Sequence, residues 1–374
     1  MKIAVTGLRG IPASWGGIEQ HCEQIYSRMA ARGHDITIYA RKSYVPKGII
    51  FHKGIRIKRL PTINTKYTEA FIHTFFSVLH ILFTDTDIIH IHAQGPCLFS
   101  WLPRITRPKM QVFFTCHGLD WQRGKWPGWA SKCIHLGETC SAFFPHCRIA
   151  VSRGIQAYYL KKYGVTSRYI ANGVTLKSKR TAHHIKPFGL SNGNFFLFVG
   201  RIVPEKRVED ILQSFLMKPR KCKLVIVGES ADAKNHLNSL QQSVKNNPAV
   251  LFLGYQYGEI LVELYSNARA FINASSLEGL PLTLLEALSY GAMCIASDID
   301  PHKEILAHTK GFLFPTGNIS VLSECMHTVE EMPDKNLHAI SQQSISAISQ
   351  KFSWDTASEK LEKLYKESLG RPQE

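Results

Sequence analysis

The chain of 374 residues is long enough for two domains of roughly 100–200 residues each. Its 44% hydrophobic and 20% charged residues exclude a disordered chain, and no apolar run approaches the ~20 residues that span a bilayer. The net charge of +16 calls for an anionic partner: nucleic acid, a phosphorylated substrate or an acidic membrane surface.

The N-terminal "KIAVTG" reads directly as a strand, without the h-region of a signal peptide, so a cytoplasmic chain is expected. A Gly-rich loop, "GIPASWGGIEQ", leads into a helix over Gly17–Arg32, and "DITIYA" is the next strand. From Ile36 to Thr68 there is no acid, while Arg41, Lys42, Lys47, Lys53, Arg56, Lys58, Arg59 and Lys66 all fall there. "AFIHTFFSVLHILF" follows, amphipathic and too short to cross a bilayer. A basic stretch beside an apolar helix reads either as a membrane-surface contact over residues 41–83 or as a solvated loop next to a helix packed on its own sheet. "DIIHIHA" and "QVFFTCHG" are short β-branched strands ending in polar residues, and "CRIAVSRG" with "IQAYYLKKYG" is a further strand–helix pair.

Nine cysteines, odd in number and without a CxxC pair, indicate neither a disulfide framework nor a common zinc pattern. Cys133, Cys140 and Cys147 recur every seven residues, with His135 and His146 nearby. Three thiols on one helix face are more often small buried apolar residues than metal ligands.

After "SRYIANGV" comes a polar, basic connector over 176–194, and the strand–helix alternation then restarts with "FFLFVG". It continues through helices at Arg207–Phe215, Ala231–Lys245, Glu259–Ser266 and Leu282–Tyr290, with strands between them. The chain ends on an amphipathic helix, "FSWDTASEKLEKLYKESL", with an Ala357–Leu361–Leu364 stripe. Alternating strands and helices argue for two parallel-sheet α/β domains, 1–175 and 195–350. A ligand is expected between them, at the carboxyl ends of the strands.

In "FFLFVGRIVPEKRVEDIL" the strand ends at Gly200, and Arg201 and Lys206 follow in the loop at its carboxyl edge. A planar guanidinium and a point charge suit a diphosphate. In "SSLEGLPLTLLEALSYG", Glu278 precedes a helix and Glu286 rides on it. A carboxylate at a helix entrance competes with phosphate for the same positive end, so Glu278 is expected to accept from the hydroxyls of a neutral group. Glu286, among Leu284, Leu285 and Leu288, suits a ribose diol.

Glu278 and Glu286 resemble the E-x7-E signature of the retaining GT-B glycosyltransferases of family 4 (group 1). Arg201 and Lys206 are similar to that family's diphosphate pair, "YIANGV" to its inter-domain turn, and the final helix over 351–374 to the one that crosses back to the first domain. The first half, with "GLRGIPASWGGIEQHCEQI" and "HGLDWQRGKW", resembles a bacterial rhamnosyltransferase-like subgroup of surface-polysaccharide assembly. The resemblance implies a GT-B fold: two Rossmann-like domains facing a central cleft, the second binding the nucleotide sugar and the first the acceptor. It implies donor contacts from Gly16, Gly17, Gly200, Arg201, Lys206, Glu278, Gly279, Leu280, Leu282, Thr283 and Glu286. Arg201, Lys206, His117 and Glu278 would serve the reaction centre. Acceptor contacts would come from Glu19, His21, His92, Gln94, Asp120, Arg123 and Lys125.

No Asp-x-Asp or His/Asp ligand cluster is apparent, so no catalytic metal or other cofactor is expected. The implied partners are a nucleotide sugar and a glycan or polyprenyl-linked saccharide, handled at the inner face of the cytoplasmic membrane. Nucleic acid is not expected, because neither aromatic-and-basic interleaving nor a helix-turn-helix or zinc-finger signature is present. A nucleotide-sugar epimerase of similar build and a non-catalytic binder of anionic polymers are the alternatives.

Overall fold

The computed structural model describes residues 1–13, 16–63, 68–122, 128–229 and 234–370. It divides into two compact units: Met1–Gly173 together with Trp354–Glu374, and Val174–Ser353.

The first unit opens with β1 (Lys2–Thr6), α1 (Gly17–Ala31), β2 (Asp35–Arg41), β3 (Phe51–His52), β4 (Ile55–Leu60), α2 (Glu69–Leu82) and β5 (Ile88–His92). It continues with α3 (Trp101–Thr106), β6 (Gln111–Cys116), α4 (Gly128–Phe143), β7 (Cys147–Ala150), α5 (Arg153–Tyr163) and β8 (Arg168–Tyr169). Among the described residues, eight strands lie in the order β3-β4-β2-β1-β5-β6-β7-β8, parallel except for the β3–β4 pair. The central strands are apolar on both faces, as helices on each side require: Ile3, Val5, Ile88, Ile89, Ile91, Val112, Phe113 and Phe114 are all buried.

The second unit holds β9 (Phe195–Val199), α6 (Val208–Leu216), β10 (Lys223–Val227), α7 (Lys234–Ser243), β11 (Val250–Phe252), α8 (Gly258–Asn267) and β12 (Ala270–Asn273). Then come α9 (Leu282–Ser289), β13 (Cys294–Ser297), α10 (Asp300–Leu306), β14 (Phe312–Phe314), α11 (Ile319–Glu331) and α12 (Asp334–Lys351). Its strands run parallel in the order β11-β10-β9-β12-β13-β14. Both sheets therefore reverse their winding once, between β1 and β5 in the first and between β9 and β12 in the second. Such a reversal opens a crevice at the carboxyl ends of the two strands concerned.

The last helix, α13 (Trp354–Ser368), returns to the first unit. It buries Trp354, Ala357, Leu361 and Tyr365, with Leu364 only partly covered, so the inward stripe is centred one residue beyond the expected one. Arg28 and Arg32 of α1 reach its Asp355 and Glu362 at 2.6 and 2.5 Å.

Three expectations change. The acid-free stretch is not simply a loop. "GIRIKRL" forms β4, whose Ile55 and Ile57 point inward while Arg56 and Lys58 point to solvent, and Arg41 on β2 is paired with Glu69 at 2.8 Å. Lys66 lies outside the described residues. The cysteine series does not share one helix face, because Cys133 and Cys140 sit on α4 whereas Cys147 belongs to β7. The polar segment 176–194 is bound into the second unit. Glu263 of α8 accepts the backbone amides of His183, His184 and Ile185 at 2.8, 2.7 and 3.2 Å and meets the His184 ring at 2.7 Å.

Burial opposes ionisation of Glu263, but the His184 ring and the three amides outweigh it and bring the carboxyl down to about 2. A depressed carboxyl contributes stability above its unfolded value near 4.3 and loses it as the pH falls towards the folded one. Glu263→Gln should lower the stability of the second unit by about 1–3 kcal/mol at neutral pH. Thermal melts of mutant and wild type should draw together as the pH falls from about 4.3 towards 2. A gap of constant size across that range would show that the charge is not its source.

Candidate functional site

The second unit gathers its charged residues at the carboxyl ends of β9 and β12, the reversal point of its sheet. Strand β9 ends in Val199, Gly200 and Arg201 follow, and a single 3-10 turn over Pro204–Lys206 brings Lys206 back towards the strand ends. From β12 the chain passes Ser275 and Glu278 before Pro281 opens α9. Lys206 Nζ donates to Glu278 Oε1 in a closely held ion pair, with 15% and 12% of the two side chains exposed. Ser275 Oγ donates to the same carboxylate oxygen at 2.9 Å. Burial works against the charge on Glu278, but the Lys206 ammonium outweighs it and the carboxyl titrates below its ordinary value. Arg201, one-third exposed, lies 4.0 Å from Glu205.

Helix α9 is short and largely apolar. It buries Leu282, Leu284, Leu285, Ala287, Leu288 and Ser289, leaving Thr283 and Glu286, one turn apart, partly exposed. Tyr265 donates to Glu286 Oε2 at 3.3 Å. Gly279 and Leu280 are buried within the turn. Arg201, Lys206 and Glu278 thus lie on two neighbouring strand ends, while Glu286 lies on the helix leaving the second of them. Beyond β11, within the stretch Gly228–Tyr257 where the sequence reading puts the nucleotide base, Tyr255 and Tyr257 stack with ring centres 6.2 Å apart and remain substantially exposed.

In the first unit the loop after β1 is held by α1. Glu19 Oε1 accepts from the Arg9 amide at 3.0 Å, and Glu23 Oε2 accepts from that of Ala13 at 2.6 Å. Gly16 has a φ of 107°, and a Cβ there would fall 2.1 Å from the Glu19 carboxylate, so no other residue fits without moving it. Gly17 is the first residue of α1. Glu19, placed among the acceptor contacts by sequence, is 5% exposed and its resolved work is on the loop.

The carboxyl ends of β5 and β6 meet the first turn of α1 in a nest of histidines. His92 Nδ1 and His117 Nε2 are 2.8 Å apart, and the His21 ring packs edge-on to His117 with centres 4.6 Å apart. His21 Nδ1 lies 2.9 Å from Asn172 Oδ1, which belongs to the "YIANGV" segment. Behind them, the Tyr26 hydroxyl bridges His90 Nδ1 and His92 Nε2, both at 2.9 Å. Tyr365 of α13 reaches His90 Nδ1 at 2.5 Å, and Thr115 closes the far side of the His90 ring at 2.8 Å. Burial brings His21 down to about 4 and lowers His90 and His92 well below the ordinary histidine value, so these rings are neutral near pH 7.

The alternation of His90 and His92 on one strand was legible. Their convergence with His21 and His117 was not, since no Asp-x-Asp or His/Asp spacing in the sequence marks it. The nitrogens of His21, His92 and His117 all lie within 4.8 Å of one another. Gln94 is fully buried, donating to Tyr159 and accepting from the Asp120 amide, both at 3.0 Å; it orders the loop that carries Asp120. Arg123 and Lys125 lie outside the described residues.

Two family models match the chain. The one described as Glycosyltransferase Family 4 takes in residues 15–178, and the one described as Glycosyl transferases group 1 takes in residues 180–346. Lipopolysaccharide 1,6-galactosyltransferase of Escherichia coli is 30% identical over 247 residues, which cover 62% of this chain and 67% of that protein. Among solved structures, sucrose-phosphate synthase from Thermosynechococcus elongatus superposes with a TM-score of 0.85 at 21% identity, covering 98% of this chain and 99% of that one. The Anabaena protein HepE in complex with UDP-glucose gives 0.80 at 16% identity, with 98% and 100% covered. The two models adjoin at the boundary between the units and fit a GT-B architecture of two Rossmann-like sheets: this chain belongs to the group 1, family 4 glycosyltransferases.

Proposed function

We propose that the chain transfers a hexosyl unit, with retention of configuration, from a nucleoside-diphosphate sugar to a hydroxyl of a glycan or lipid-linked saccharide in bacterial surface-polysaccharide assembly. The observation that carries this reading is the Lys206–Glu278 pair beside Arg201 at the reversal point of the second sheet. A diphosphate arriving there meets two cations and the amides at the start of α9. As Lys206 turns to phosphate, Glu278 keeps Ser275 and takes the hydroxyls of the transferred sugar, so no carboxylate is stranded. Glu286 and Thr283 hold the ribose, and the Tyr255–Tyr257 surface stacks on the base.

In the first unit, the Gly16–Gly17 turn serves the donor phosphates and His117 the donor sugar. His21 and Asp120 serve the acceptor, on a frame built by Glu19, His92 and Gln94. Chemistry proceeds by front-face displacement: the departing diphosphate, stabilised by Arg201 and Lys206, draws the acceptor's proton, and no metal takes part. The relatives' printed activities on lipopolysaccharide and the UDP-glucose bound to HepE support this substrate class. A rhamnosyl donor is the first to test.

We also place a peripheral membrane contact on residues 41–83. Arg56 and Lys58 face solvent on β4, Phe75 and Phe76 are 38% and 47% exposed on α2, and Phe83 beside them is 89% exposed. No helix among the described residues is long and apolar enough to cross a membrane.

Lys206→Gln, which keeps a donor for Glu278, should lower the melting temperature but leave a cooperatively folded protein whose turnover is down on the order of 10²–10³-fold; near-normal turnover removes Lys206 from the reaction. Thermal-shift screening against UDP-, GDP-, dTDP- and ADP-sugars should single out the donor, since a ligand at 100 times its dissociation constant adds about 2.7 kcal/mol. Glu286→Ala should reduce that shift, and an undiminished shift overturns the ribose contact. Sedimentation with vesicles should show binding to anionic but not zwitterionic lipid, weakened by salt and by Phe75→Ser with Phe76→Ser. Equal partitioning to both lipids would remove the membrane contact.

A further inference from the structure

The histidine nest does more than border a sugar site. His21, His92 and His117 come from three separate elements, yet each brings one nitrogen within 4.8 Å of the other two. Their ring centres are 4.6, 5.1 and 5.6 Å apart. A tetrahedral zinc ion about 2.0–2.1 Å from three imidazole nitrogens requires nitrogens roughly 3.3 Å apart and ring centres about 5 Å apart. His92 Nδ1 and His117 Nε2, hydrogen-bonded at 2.8 Å, are closer than that, and a shift of about half an ångström opens them.

The outer nitrogens strengthen the case. A ring that gives its far N–H to an oxygen leaves the near nitrogen with its lone pair, which is how proteins orient metal-bound histidines. His21 Nδ1 faces the amide oxygen of Asn172, and His92 Nε2 faces the Tyr26 hydroxyl, both at 2.9 Å. The Tyr26 hydroxyl also lies 2.9 Å from His90 Nδ1, which Tyr365 reaches as well. His117, the half-buried member, gives an ion access from solvent.

We infer that His21, His92 and His117 form a site for a divalent transition ion of the zinc type, with water completing the tetrahedron. The ion takes no part in transfer. It draws on the His117 nitrogen, so its binding and an active donor site exclude one another, and transition metal acts as an inhibitor relieved by chelation. Magnesium and calcium, which prefer oxygen ligands, are poor occupants of three imidazoles.

The full chain, stripped with EDTA, is titrated with Zn²⁺ against a chromophoric chelator and separately with Co²⁺ under visible spectroscopy. One ion per chain is expected at micromolar concentration or tighter, with the intense visible bands of tetrahedral cobalt. His21→Gln and His117→Gln should each weaken binding on the order of 100-fold or more, and Asn172→Ala by about 10–100-fold. The last change touches no metal ligand, so it separates the oriented site from adventitious binding. Glu331→Gln, in the exposed His327–Glu330–Glu331 group of the second unit, should leave the affinity unchanged. If His21→Gln fails to fold, His117→Gln, on the more exposed ring, carries the test alone. Binding weaker than millimolar, octahedral cobalt spectra, or affinity indifferent to His117 and Asn172 overturns the site. These readouts do not involve turnover, so their failure leaves the transferase reading standing.

Discussion

A parallel strand buried on both faces has nowhere to put a charged group except at its ends, and both units obey that constraint. The central strands are runs of Ile, Val and Phe, so reactive side chains are displaced to the loops that leave their carboxyl ends. Where the winding of the sheet reverses, two such loops part and leave room between them. Lys206 with Glu278 fills that position in the second sheet, and in the first His92 stands at the end of β5 with His117, from the end of the next strand, against it. The same architecture thus hosts two different chemistries: a salt-bridged carboxylate beside cations in one unit and neutral imidazoles in the other.

Keeping these groups in place requires that each have a partner before any ligand arrives. Glu278 is ionised in a mostly covered position only because Lys206 and Ser275 share it. The imidazoles avoid the problem by remaining uncharged, and Tyr26, Tyr365, Thr115 and Asn172 supply the polar contacts their nitrogens need. The loop after β1 is handled in the same way, its amides taken by Glu19 and Glu23.

What could be read from the sequence was what is local in it. The Glu278–Glu286 pair and the Arg201–Lys206 pair each lie within a few residues of a strand end, so spacing alone set them at one edge. The alternation of strands and helices gave the two-sheet architecture, apart from β4, where charged residues at every second position disguised a half-buried strand as a basic loop. Helices α10, α11 and α12 were not anticipated, since short or polar segments with weak periodicity carry little signal. The histidine nest was invisible for a different reason. Its members come from α1, β5 and the loop after β6, and its supports from α13 and the segment at Asn172, so only the folded chain brings them together.

Tyr365 sits deep among these rings although it belongs to the last helix of the chain. The first sheet can therefore pair its strands early in synthesis, but its histidines lack Tyr365 until the second unit and most of α13 have been made. A nascent chain carries the whole of the second unit before its first is finished, and premature termination before Tyr365 leaves the first unit without the side chain that closes its histidines from below.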